Sequence, residues 1–202
     1  MLNENPTLAL GRDLELIQLL YDLDYDEAWI GEHQSGGFEI IPAPEIFIEA
    51  AAERPRRIRL GTGVKSVPFH HPLIVADQMV QLDQMTRGRV MFGAGPGALR
   101  TDAQQMGIDP ADQRRRMTEA PDVIVPLMEG KQVFMETNWF TLRDAKLQMS
   151  HYTPPMMEMV VTSIRSPSGA LCAVKYGAGL LVLGGISDGA LEHQIHNWKI
   201  CE

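Results

Sequence analysis

Glu32 and His33 are adjacent side chains with the clearest capacity for chemistry. They close the stretch Glu27-Ala-Trp-Ile-Gly-Glu-His33 and precede Gln34-Ser-Gly-Gly37, so an acid and an imidazole stand where a short apolar run gives way to a glycine turn. An imidazole titrates near neutral pH and can take or give a proton. Glu32 can orient that ring or act as a structural carboxylate paired with an arginine, and the residue types leave both open. Ser166, Ser168 and Gly169 form a second set. They fall between an apolar strand and a short helix, where free amides and the positive helix end suit an anion. Plain helix capping is the alternative there. Arg165 would add charge. Gly93, Gly95 and Gly97 form a glycine-rich turn, but it lacks the GxGxxG spacing and the acidic residue about 20 positions on that a dinucleotide site requires. His70 and His71 adjoin each other with no third ligand at metal spacing, so no metal site is expected.

These residues need elements to hold them. Apolar residues at Leu14, Leu16, Ile17, Leu19, Leu20 and Leu23 give one buried face to a helix over 12–23, after a turn at Asn5-Pro6-Thr7. A strand is predicted at 27–31 and a helix at 43–53, opened near Pro44 and ended by Pro55. A second strand at 57–64 carries Gly61 and Gly63, and a loop over 66–72 leads into a helix at 73–85. A third strand at 89–94 runs into the glycine turn. A long helix over 111–128 should kink at Pro121. A small hairpin around Thr137-Asn138 follows, then a strand at 156–162, a polar loop at 163–169, a helix at 170–176 capped by Gly177, a strand at 180–183 and a helix from 192. The methionines at 79, 85, 117, 128, 157 and 159 read as core filler, and Arg114–Arg116 as a solvated helix face.

Repeated strand–loop–helix units imply an α/β fold with a parallel sheet and right-handed crossovers. Five principal strands are counted, whereas a closed (β/α)8 barrel has eight strands and about 250 residues. With 202 residues the chain suits one domain over residues 1–202. Apolar residues make up 45% and charged residues 22%, at a net charge of -8. That balance argues against nucleic acid or an anionic membrane as partner. Cys172 and Cys201 lack CxxC spacing and suggest no disulfide framework. No signal peptide is visible and the longest apolar run is too short to span a bilayer, which makes the cytoplasm the default.

Taken in order, Glu27-Ala-Trp-Ile-Gly-Glu-His33, Ile58-Arg-Leu-Gly-Thr-Gly63, His71-Pro72 with Ala76-Asp77, Leu82-Asp-Gln-Met-Thr-Arg-Gly-Arg89, Gly93-Ala-Gly-Pro-Gly97, Ser166-Pro-Ser-Gly169 and Lys175-Tyr-Gly177 resemble the bacterial-luciferase-like flavin monooxygenases, in particular their limonene-monooxygenase-like branch. The resemblance implies an incomplete TIM barrel, lacking the first strand and the last two. It implies a reduced flavin, FMN with FAD or a deazaflavin as alternatives, at the carboxyl ends of the strands. It implies that His33 lies beside the reactive edge of the flavin, with Glu32 near it, and Gln34 stands where many relatives carry a second His. Ser166, Ser168 and Gly169 become the phosphate site, Gly95 and Gly97 a loop near the flavin ring, and Thr62 and Gly63 a backbone lining. The implied activity is insertion of one oxygen atom from dioxygen into a small apolar substrate. A separate flavin reductase would be the partner, and the protein would be a homodimer or heterodimer. Hydride transfer with a deazaflavin, or a non-catalytic flavin-binding fragment, are the alternatives.

Overall fold

The computed structural model describes residues 4–37, 39–163, 167–182 and 189–202. Leu183 and the glycines at 184 and 185, which the sequence places around the last strand, lie outside them, as do Arg165 and Ser166.

Asn5 opens helix α1 (Pro6–Asp22) by accepting the Thr7 amide on its side chain at 2.9 Å, with Pro6 at the first helical position. The segment expected to be a turn is therefore a helix cap and first turn. Strand β1 (Glu27–Ile30) follows, then α2 (Pro44–Ala52), β2 (Arg59–Thr62) and the two-residue strand β3 (Lys65–Ser66). Helix α3 (Pro72–Thr86) leads to β4 (Val90–Gly95). A short helix α4 (Arg100–Gln105) comes next, where the sequence pattern predicts none. The predicted long helix is divided at Ala120 into α5 (Gln113–Glu119) and α6 (Pro121–Met128), as Pro121 requires. The hairpin β5 (Val133–Glu136) and β6 (Thr141–Ala145) is antiparallel and separate from the main sheet. Strand β7 (Met159–Thr162), helix α7 (Ser168–Tyr176), strand β8 (Gly179–Leu181) and helix α8 (Ala190–Cys201) complete the described chain.

The sheet runs β1-β2-β4-β7-β8 with every pairing parallel, and β3 joins the carboxyl end of β4. It is an open half-barrel of the five principal strands predicted. Central β4 is buried along all six residues, as a strand covered on both faces must be. Edge strand β1 alternates instead, with Ala28 and Ile30 in the core against the helices. Its other face carries Trp29, whose ring lies so close over Gly61 and Gly93 that a Cβ at Gly61 would enter it. At the amino end of that face Arg59 bridges Glu27 at 3.1 Å and Glu158 at 2.5 Å. Among the methionines expected in the core, 79, 117, 128, 157 and 159 are buried, but Met85 is 48% exposed at the end of α3. Arg116 departs from a solvated face: its guanidinium lies 5.0 Å from the centre of the Trp139 ring and donates to the Pro68 carbonyl at 3.3 Å.

Candidate active site

The carboxyl ends of β1, β2, β4 and β7 deliver their loops to one end of the sheet, where ligands bind in parallel α/β folds. Glu32 and His33 have different partners, and no hydrogen bond joins the two side chains among the described residues. The Glu32 carboxylate is buried and, among the described residues, meets no arginine. It accepts the Ser66 amide at 3.1 Å, the Gln34 side-chain amide at 3.0 Å and a hydrogen bond from His70 Nε2 at 2.7 Å. Lys65 Nζ stands 3.5 Å away and is also paired with Glu45 at 2.9 Å, although its side chain is 2% exposed. Burial alone would raise the Glu32 carboxyl. The His70 hydrogen bond, the Lys65 and His70 charges and the Gln34 amide outweigh burial and hold it below the usual glutamate range. His70 is thus engaged by Glu32. His71 instead precedes Pro72 at the entry to α3 and packs edge-on to Phe140.

His33 turns toward α4. Its Nδ1 is 3.1 Å from Asp102 Oδ2 and its Nε2 is 2.8 Å from Glu39 Oε2. Asp102 is 1% exposed, and its second oxygen accepts the Ser35 hydroxyl, which also bonds Thr101. Neither Asp102 nor Lys65 is visible to motif reading. Asp102 is 69 positions from the ring it touches, in a polar segment without apolar periodicity.

Thr62 and Gly63 fall at the end of β2, but the Thr62 side chain is wholly buried. Its hydroxyl donates to the Gly93 carbonyl at 2.8 Å and accepts the Gly93 amide at 2.9 Å, stitching β2 to β4 beyond their last ladder pair. Gly95 lies under Val64 and Thr162, and a Cβ there would strike the Val64 side chain. Gly97 has φ +83°, and a Cβ would come 2.6 Å from the Phe69 ring.

Helix α7 begins at Ser168, two residues before the sequence predicts, and sits directly on β7. A Cβ at Gly169 would collide with the Thr162 carbonyl oxygen. Between this helix end, β7 and α5 lies a cleft of about 280 Å³, lined by Pro96, Arg114, Met117, Thr162, Ser168 and Gly169 among others. A second cleft of about 680 Å³ shares Pro96 and Arg114 with the first and extends past Gly97, Gln113 and Arg100. Arg100, which lines the second cleft, is on the same short helix as Asp102, the partner of the His33 ring. Neither cleft is lined by His33 itself. Among the described residues no group of three metal-ligating side chains converges, and no helix is long and apolar enough to cross a membrane.

The donor set can be tested against a flavin mononucleotide. The first turn of α7 presents backbone amides beside the cleft, which Arg114 also lines. Gln34 Oε1 is buried without a hydrogen-bond partner among the described residues, an acceptor of the kind an N–H edge of a flavin ring would satisfy. The residues fit such a group.

Comparison with known proteins gives the same direction. The chain is 47% identical over 200 residues to limonene 1,2-monooxygenase of Rhodococcus erythropolis, covering 99% of this chain and 51% of that protein. It is 49% identical over 184 residues to 4-hydroxyprotoasukamycin monooxygenase of Streptomyces nodosus subsp. asukaensis, covering 91% and 50%. The chain thus spans about half the length of these relatives. In fold it is similar to the oxygenating constituent of 3,6-diketocamphane monooxygenase from Pseudomonas putida, a type II Baeyer-Villiger monooxygenase solved in complex with FMN. The TM-score is 0.83 at 21% identity, covering 98% of this chain and 57% of that one. The sequence profile of the luciferase-like monooxygenases matches residues 3–200, and the chain belongs to that family.

Proposed function

We propose that residues 1–202 form one partial barrel domain that binds FMN and serves a flavin-dependent monooxygenase acting on a small apolar substrate, a cyclic alkene of the limonene type. The observation that supports this most is the cleft at the carboxyl end of β7, which the start of α7 and Arg114 both line. A bound reduced flavin would supply the electrons and the activation of dioxygen. The chain's own residues would do the rest. Ser168, Gly169 and Arg114 would hold the phosphate, and Gln34 would accept from the ring edge. His33 would hold or release a proton, and the apolar walls formed by Met117 and Val161 would exclude water. A separate reductase would deliver the reduced flavin. Association into a dimer belongs to the same proposal, supported by the exposed Leu8 and Leu19 on α1, Leu23 just past its end, and Leu191, Ile195 and Trp198 on α8.

The test titrates the purified chain with FMN, FAD and a deazaflavin, following flavin fluorescence. Reductase, NADH, air and limonene are then added and the products separated by gas chromatography. Saturable FMN binding and oxygenated limonene above the free-flavin control are expected, with the product lost in His33→Ala. Absence of flavin binding, or equal product with and without the chain, refutes the proposal. Saturable binding of the deazaflavin in place of FMN would move the reading to hydride transfer.

A further inference from the structure

We infer that Asp102 is a positioning residue for His33: its buried carboxylate fixes the ring proton on Nδ1 and leaves Nε2 as the nitrogen that meets a ligand. His33 stands between two carboxylates, with Asp102 Oδ2 3.1 Å from Nδ1 and Glu39 Oε2 2.8 Å from Nε2. The protonated ring can donate to both, whereas a neutral imidazole has one N–H to give, so in the neutral state one of the two acceptors must let go.

The two are not equivalent. Asp102 is 1% exposed and braced from behind. Its Oδ1 accepts the Ser35 hydroxyl at 2.5 Å, and that hydroxyl is tied to Thr101 at 2.6 Å. Turning Asp102 away would strand a buried charge without its partners. The Glu39 side chain is 54% exposed, and no other hydrogen bond of it is seen among the described residues, so it can swing into water at little cost. The backbone adds to the bias, because the His33 amide is held by the Ile41 carbonyl at 3.1 Å and fixes the base of the ring. The Nδ1–H to Asp102 bond therefore persists. Nε2 keeps its lone pair, and Glu39 occupies that side only until a ligand displaces it. This deepens the proposed function and rests on it for the turnover readout, but not for the spectroscopic one.

The test labels histidine with 15N in the full, cofactor-free chain and records long-range 1H–15N correlations in alkaline buffer, where imidazoles are neutral. The wild type is expected to show His33 protonated at Nδ1 and bare at Nε2, and Glu39→Gln to show the same. Asp102→Asn is expected to lose that single tautomer, the proton moving to Nε2 or dividing between the two nitrogens. Circular dichroism checks that each variant is folded, and the wild-type spectrum decides even if Asp102→Asn is not. A wild-type ring bare at Nδ1, or a proton moved by Glu39→Gln and not by Asp102→Asn, overturns the assignment. In the reductase-coupled assay Asp102→Asn should lower kcat by about 10- to 100-fold with KM changed less than about twofold, while Glu39→Gln keeps kcat. The expected spectra with no turnover by any of the proteins would overturn the proposed function and leave the tautomer assignment standing.

Discussion

Glu32→Ala removes the centre of a buried network, and its cost follows from what is left behind. The Ser66 amide, His70 Nε2 and the Gln34 amide each lose an acceptor, and Lys65 keeps Glu45 alone. Breaking a buried ionic cluster by deleting one partner costs about 3–5 kcal/mol. In a chain of 202 residues each kcal/mol moves the melting temperature by about 2–4 °C, so the variant should melt roughly 6–20 °C below the wild type. Circular dichroism at neutral pH measures this. The pH dependence supplies a second arm. The folded-state value of Glu32 is depressed, because the His70, Lys65 and Gln34 contacts outweigh burial. Its stabilisation is then fully present above the ordinary glutamate value of 4.5 and is lost as pH falls through the lower folded value. The gap between wild type and Glu32→Ala should be widest above pH 4.5 and shrink below it. A drop of under about 2 °C at neutral pH, or a gap that widens on acidification, would refute the network as a source of stability.

Two further outcomes can be measured directly. Gly169→Ala forces α7 away from the Thr162 carbonyl. Loss of one hydrogen bond to a charged phosphate, about 1.5 kcal/mol, should weaken FMN binding about tenfold and leave riboflavin, which has no phosphate, unchanged; equal losses for both would contradict the placement of the phosphate. Burial pushes the Cys172 thiol up to about 11, Asp122 adding to the shift and Lys175 opposing it. Iodoacetamide near pH 8 should therefore alkylate exposed Cys201 and spare Cys172 until the chain is denatured, as peptide mass spectrometry would show; the reverse order would contradict the assigned environment.

The parts of the fold that depend on local chemistry were legible in the sequence. β4 announces itself by a continuous apolar run, α7 by the glycine that caps it in left-handed geometry, and the α5–α6 break by Pro121. Helix α4 was silent because it buries Asp102 and Ala103 rather than an apolar stripe, so no 3.6-residue period marks it. β3 is two residues long and exists through its pairing with β4, a contact that no local pattern encodes. Arg116 looked solvated because the Trp139 ring it covers lies 23 positions on, across the hairpin.

The same distinction governs the site. Residue types single out Glu32 and His33 as a pair, yet just past the end of β1 the two side chains take different partners among the described residues. Glu32 is committed to β3 and His70 and anchors the strand end, while His33 is committed to Asp102 and α4. One residue of the motif secures the backbone and its neighbour presents the imidazole. Separate partners make the two roles separable. Loss of Glu32 should register first in stability, loss of Asp102 first in which nitrogen of His33 holds its proton, and a motif read as a single catalytic unit would forbid that division.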